Sequence, residues 1–196
     1  IMTGAASMNM VVNPYPSPLN LDAFQTENST KLDGTYYFWT HKTPINATTH
    51  QYASNDFALY NSTGGTQAVP GGIVTTGKVA VGQGFMVKGI GATVTADVVQ
   101  YKNSMRLPAT TQAHFYKASG TTSVDVNATE KNRLWLDFSG STAFKQILVG
   151  YVNGATEAYY NGFDGEISAD AAVSFYSILG TKQLGIQGKG LPFNVS

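Results

Sequence analysis

RLWLDFSGSTAFKQILVGYV, residues 133–152, decides the fold class. Leu134, Leu136 and Phe138 alternate with Trp135 and Asp137. Past a small-residue break, Ile147, Val149 and Tyr151 alternate with Phe144, Gln146 and Leu148. A period of two sends successive side chains to opposite faces of a strand, whereas an amphipathic helix repeats every three or four residues. The same β-forming character recurs in TYYFWT (35–40), AVSFYSIL (172–179) and QLGIQG (183–188). Between these runs lie turn signals: LDG, TGG, PGG, VNG, YNG and FDG. Strands spaced by about ten residues with such turns predict an all-β protein built as antiparallel β-sandwich or jelly-roll-like units.

Working outward, little helix is expected. NLDAF (20–24) opens one or two helical turns, with Asn20 as N-cap and Asp22 in the first turn, and VNATEKN (126–132) gives one turn at most. MRLPATTQ (105–112) marks a soft boundary. Two units are therefore expected. Residues 1–108 hold a proline corner and the aromatic strand, and residues 109–196 form a second sandwich unit. In VVNPYPSPLNLDAF (11–24), Pro14, Pro16 and Pro18 alternate. Each fixes its own φ and pushes the preceding residue toward extended geometry. The strand before them must end there, and the corner should be rigid, with Tyr15 packed down as a plug. The rival reading is a polyproline ligand for an aromatic groove.

Composition excludes several functions. Charged residues make up 12% of the 196-residue chain, with twelve acids balancing twelve bases. That is about half the usual share. Such a chain lacks the basic footprint that nucleic acid demands, and it lacks charge for docking on an anionic membrane. No apolar run is long enough for a membrane span. Cysteine is absent, so there is no disulfide framework, thiolate metal site or thiol nucleophile. IMTGAASMNMVV has no basic n-region; an exported chain would carry its signal upstream.

The familiar catalytic motifs are missing, so no enzyme is expected. His41 and His50 flank KTPINATT and would meet across a hairpin, but no third ligand is nominated. NGFDGEISAD (161–170) gathers hard oxygens around glycines, so Asn161, Asp164, Glu166 and Asp170 are candidate calcium ligands. The alternative is a polar loop whose Asp side chains bind their own backbone. Asp164 and Glu166 are too close in sequence to face each other across a glycosidic bond. Eleven Tyr, ten Phe and two Trp supply stacking surfaces. In TYYFWT, Tyr36 and Phe38 share one face and Tyr37 and Trp39 the other. Tyr37, Trp39, Tyr159 and Tyr160 are candidate sugar-stacking residues. Sequons at Asn28, Asn46, Asn61, Asn127 and Asn194 point to surface positions.

Several stretches together resemble a module of large surface proteins of the Bacteroidetes. They are NPYPSPLNLDAF, GTYYFWTHKTP, YASNDFALYNSTGGT, GQGFMVKG with NSMR, then RLWLDFSGSTAFKQILVGYVNGAT, FDGE and FYSILGTKQLGIQGKGLPF. The region is similar to the one preceding the C-terminal sorting signal of type IX secretion cargo. The resemblance spans residues 9–193. It implies a secreted or cell-surface, adhesin-like module without catalytic residues, whose partners are the secretion machinery or other surface proteins. Two departures stand out: Val12 precedes Asn13 where the family has Gly, and Tyr160 stands where it commonly has Asp. In that family further strands follow the Leu-Pro-Phe motif. The resemblance therefore implies a piece of a longer protein, with an exposed sheet edge that a partner should cover. The rivals are a carbohydrate-binding module and the accessory domain of a secreted hydrolase. An exposed coplanar aromatic row would favour the first, a deep cleft with paired carboxylates the second, and a long uncovered sheet edge would favour assembly.

Overall fold

The computed structural model describes residues 1–3, 7–41, 44–52, 56–91, 93, 95–111, 113, 132–140, 143–167 and 173–191. The strands of the first half are β1 (Met2–Thr3), β2 (Ser7–Val12), β3 (Leu19–Asn20), β4 (Leu32–Trp39), β5 (Phe57–Asn61), β6 (Gly64–Gly65), β7 (Lys78–Val79), β8 (Gly84–Gly89) and β9 (Thr95–Ala96). Those of the second are β10 (Asn132–Ser139), β11 (Phe144–Tyr151), β12 (Gly165–Glu166), β13 (Ser177–Leu179) and β14 (Lys182–Lys189). One α-helix, α1, spans Leu21–Asn28, and a 3-10 turn spans Asn103–Met105. The protein is all-β with little helix.

Two five-stranded sheets carry the architecture. The first runs β2-β8-β4-β5-β6; the second runs β10-β11-β14-β12, with β13 also on β14. The first is antiparallel throughout. The second departs from the antiparallel expectation at one place, where β11 and β14 pair in parallel, Leu148 opposite Ile186. A parallel pair needs a long crossover rather than a tight turn, and the segment between Tyr151 and Lys182 supplies it.

The chain's halves correspond to these sheets, but they share an interior. On one face of the first sheet, Tyr36, Phe38, Tyr60, Phe85 and Val87 pack on Leu19, Leu21, Phe24, Val79 and Met105. On the other, Tyr37 and Leu59 meet Leu148 and Ile186 of the second sheet. β4 therefore lies between two layers, and seven of its eight residues are buried. The alternation of TYYFWT assigns the faces, and both faces are core up to Trp39. Hydrogen bonds stitch the seam: Thr35 Oγ1 donates to the Asp164 carbonyl (3.2 Å), and Gly162 N donates to the Asp33 carbonyl (2.6 Å).

Local signals explain the remaining corners. The Asn20 side chain accepts from the N–H groups of Asp22 (2.9 Å) and Ala23 (3.4 Å), satisfying donors that open the helix. Tyr36 and Tyr60 hydroxyls donate to Gln25 and Asp22, tying α1 to the sheet. β2 ends at Val12, where the proline corner begins. Buried Asn13 fixes that corner: its amide donates to the carbonyls of Ser17, Val79 and Ala80, and its Oδ1 accepts from Tyr15 N. Tyr15 packs partly buried against the core, its edge on Tyr101. LDG does not turn between strands. It is a bulge within β4, with Gly34 at φ +83° and a register shift between Leu32 and Tyr36.

Candidate functional site

The second sheet ends at β10. Among the described residues β10 pairs only with β11, in unbroken register from Asn132 opposite Tyr151 to Ser139 opposite Phe144. Its other edge therefore presents backbone N–H and C=O groups that no described strand pairs. Arg133, Trp135 and Asp137 face the first sheet, and Leu134, Leu136 and Phe138 face away from it. The inward set is anchored. Arg133 Nε donates to the Thr63 carbonyl (2.9 Å), and Trp135 Nε1 donates to the Gly65 carbonyl (3.0 Å). Gln146 Nε2 donates to Asp137 Oδ1 (2.8 Å), while Gln146 Oε1 accepts from Gln67 N (3.0 Å). Burial pulls the Arg133 pKa down, opposed by Tyr60 and Asp22; a guanidinium remains charged all the same.

The strand is held in place yet uncovered. Leu134 is 55% exposed, Trp135 39%, Leu136 41% and Phe138 43%. Ile178 on β13 is also exposed, and Phe138 lies 6.0 Å from Phe175. Single exposed apolar residues are ordinary; these four lie together along one strand.

The residues nominated from sequence fall elsewhere. Tyr37 is interior, and its hydroxyl donates to the Glu166 carbonyl (3.0 Å), so neither ring face is open to a sugar. Trp39, at the end of β4, is exposed against His41 (5.0 Å, 31°) and Tyr52 (4.7 Å, 79°); these rings form a cluster, not a coplanar row. Tyr159 is half-buried under Lys182, whose Nζ sits 4.3 Å from the ring centre. Tyr160 is exposed and stacks on Phe163 (5.6 Å, 16°).

The acidic loop does not gather oxygens. Asp164 is buried, with Oδ2 accepting from Tyr160 N (2.8 Å) and Oδ1 from Gly188 N (3.0 Å). It braces the loop through the backbone. Asn161 is exposed and joins a bridge with Asp164. Glu166 is ion-paired with Lys88 (3.3 Å) and Lys182. Asp170 lies outside the described residues. Among the described residues no three His, Asp or Glu side chains are placed to share a cation. Two sequons are also interior: Asn28 bonds Phe24 and Gln100, and Asn61 bonds Phe163. Asn46 is exposed; Asn127 and Asn194 lie outside the described residues.

Sequence reasoning missed a charged cluster at the sheet seam. Asp33 is buried, and its Oδ1 accepts from Thr35 N (3.0 Å) while Oδ2 has no partner. Burial raises its pKa to about 6, against the lowering effects of the Thr35 N–H and the nearby lysines. Burial also pushes Glu166 up, but the Lys182 hydrogen bond and the charges of Lys88 and Lys182 outweigh it, and the net shift is down. Only the lone Asp in LDG could have hinted at this, and a turn explains that motif equally well.

Fold and site thus define a class: a two-sheet β-sandwich capped by a short helix, with one anchored edge strand whose outer side no other described strand pairs. The chain belongs to the family described as a domain of unknown function, DUF8693, which matches it over residues 2–196. No curated protein and no solved structure matches it.

Proposed function

We propose that this is a non-catalytic assembly module of the cell surface or secreted space, whose β10 edge takes up a β-strand from a protein partner. The observation that carries the reading is β10 itself: eight residues long, unpaired on one side among the described residues, with exposed Leu134, Leu136 and Phe138 on its outward face and exposed Trp135 on the inward one. Strand addition supplies main-chain hydrogen bonds for affinity, and alternating side chains supply specificity. The low charge agrees with export, and the absence of cysteine is compatible with it. Adhesion and display are the natural contexts, and type IX secretion cargo is the lineage that the sequence resemblance suggests.

Hydrogen exchange tests the reading. A synthetic peptide of residues 132–139 is added to the intact chain, with a scrambled peptide as control. Protection of β10 amides by the first peptide alone is expected. β10 amides that do not bond β11, if already protected in the monomer and unchanged by peptide, would overturn it.

A second reading is glycan recognition at Trp39. Its ring is exposed while His41 and Tyr52 hold its orientation, as stacking on a sugar requires. His41 has φ +48°, uncommon outside glycine. A glycan array comparing the native chain with Trp39→Ala checks this. Retained fold with lost binding supports it, and no glycan bound by the native chain removes it.

A further inference from the structure

The β10 edge is self-complementary, and we propose that its partner is β10 of a second copy of this chain, paired antiparallel about a two-fold axis through Trp135. This rests on the assembly reading and names its partner.

The pleat restricts the choices. In an antiparallel pair the residues opposite each other must point their hydrogen-bonding groups the same way and their side chains to the same face. For a strand meeting its own copy, the two residue numbers must then add to an even number, so the axis passes through a residue. Near the strand's middle that leaves Leu134, Trp135, Leu136 or Asp137, and an axis at Asp137 would set that acid against its own copy.

Charge selects among them. An axis at Leu134 sets Arg133 against Trp135 and sends Asp137 past the start of β10, to Lys131, which lies outside the described residues; only a register that opposes Arg133 to Asp137 pairs both charges within the strand. An axis at Leu136 sets Asp137 against Trp135 and Arg133 against Ser139. An axis at Trp135 sets Arg133 of each copy against Asp137 of the other, twice by symmetry. It also sets Leu134 against Leu136, and Asn132 against Phe138. Opposite charges directly across a strand pair stabilise it, and like charges oppose it. Arg133 and Asp137 are already held on the inward face by Thr63 and Gln146, so little order is lost in bringing them together. On the outward face, Leu134 and Leu136 from both copies form one apolar patch. The isologous contact closes after two copies, so it covers the edge instead of propagating into a fibre.

Cross-linking reads the register directly, because Leu134 and Leu136 are exposed and the native chain has no cysteine. Leu134→Cys and Leu136→Cys are treated with a short bismaleimide, each alone and mixed, alongside sedimentation of the native chain over a range of concentrations. The expected result is a reversible dimer, with the mixed pair cross-linking faster than either variant alone. Asp137→Arg should weaken the dimer at least about tenfold, since it sets two arginines opposite each other. Faster cross-linking by one variant alone would overturn the Trp135 register. A chain that stays monomeric while its β10 amides are protected by the 132–139 peptide would overturn self-pairing and leave strand addition standing. A monomer that also ignores the peptide would overturn both.

Discussion

β4 and β10 are strands of equal length with similar contents, and they meet opposite fates. LDGTYYFW and NRLWLDFS each carry aromatics, an acid and an alternating pattern. β4 is the central strand of its sheet, buried by α1 and the proline corner on one side and by the second sheet on the other. β10 is the edge strand of its sheet among the described residues, and seven of its eight residues are exposed. Local pattern makes a strand in both cases. Burial is then decided by which segments, far away in sequence, arrive to cover it.

Truncating matched aromatics should break the comparison most strongly. Phe38 is fully buried in β4, so Phe38→Ala removes its transfer energy and leaves a cavity, at a cost of about 3–5 kcal/mol. Phe138 on β10 touches Phe175 but is largely solvated, and Phe138→Ala should cost under about 1 kcal/mol. Urea denaturation of the two variants gives the difference. Equal losses would mean that β10 is buried in solution.

Backbone contacts sharpen it next. Gly34 combines φ +83° with neighbours on both sides: an added Cβ would lie 2.6 Å from Gly162 Cα and 2.6 Å from Gln25 Nε2. Gly34→Ala should cost about 3 kcal/mol, from the left-handed backbone and the forced shift at the seam. Just after β10, a Cβ on Gly140 would meet its nearest atoms at 3.8 and 3.9 Å, which is ordinary contact. Gly140→Ala should leave the melting temperature nearly unchanged.

The seam also carries a pH signature. Burial lifts the folded pKa of Asp33 to about 6, well above the ordinary carboxylate range. The folded state therefore binds this proton more tightly than the unfolded state. The stability contribution is complete below about 4, falls as pH rises through the window to about 6, and stays lost above it. The loss is of order 3 kcal/mol. Asp33→Asn keeps an acceptor for the Thr35 N–H and removes the charge. It should be more stable than the native chain at pH 7, with the gap narrowing toward pH 4. A gap that is constant from pH 4 to 7 would refute the burial of this carboxyl.

The legible parts of the molecule were those that local chemistry determines. Alternation located β10, β11 and β14, and Asn20 and Asp22 announced the start of α1. The proline run ended β2. Partnership over long separations left no local trace. Nothing in QLGIQG says that it pairs in parallel with residues 148–151, and nothing in TYYFWT says that both its faces will be covered. AVSFYSIL yields a strand only at Ser177–Leu179 among the described residues. The acidic loop misled because carboxylate spacing looks the same whether the oxygens hold a cation or backbone N–H groups, and Asp164 holds the backbone.

The smallest expected effect on stability is also the most informative about function. Leu136 lies on the outward face of β10, opposite Ile147, and is 41% exposed. Leu136→Lys leaves an ammonium in water with its stem along the sheet, so folding stability should change by no more than about 0.5 kcal/mol. A lysine on an edge strand is, however, a standard block to pairing with another chain, because a paired edge must desolvate the charge. Under the two-fold register each copy would also bring its lysine against Leu134 of the other. Sedimentation should therefore show a monomer with an unchanged melting curve. An unchanged fold with unchanged association would mean that the chain associates through another surface, and β10 would be an exposed strand without that role. In β4 the same change, Phe38→Lys, would bury the charge inside the core, so the assay has no counterpart there. Only an edge strand can lose its partner and keep its fold.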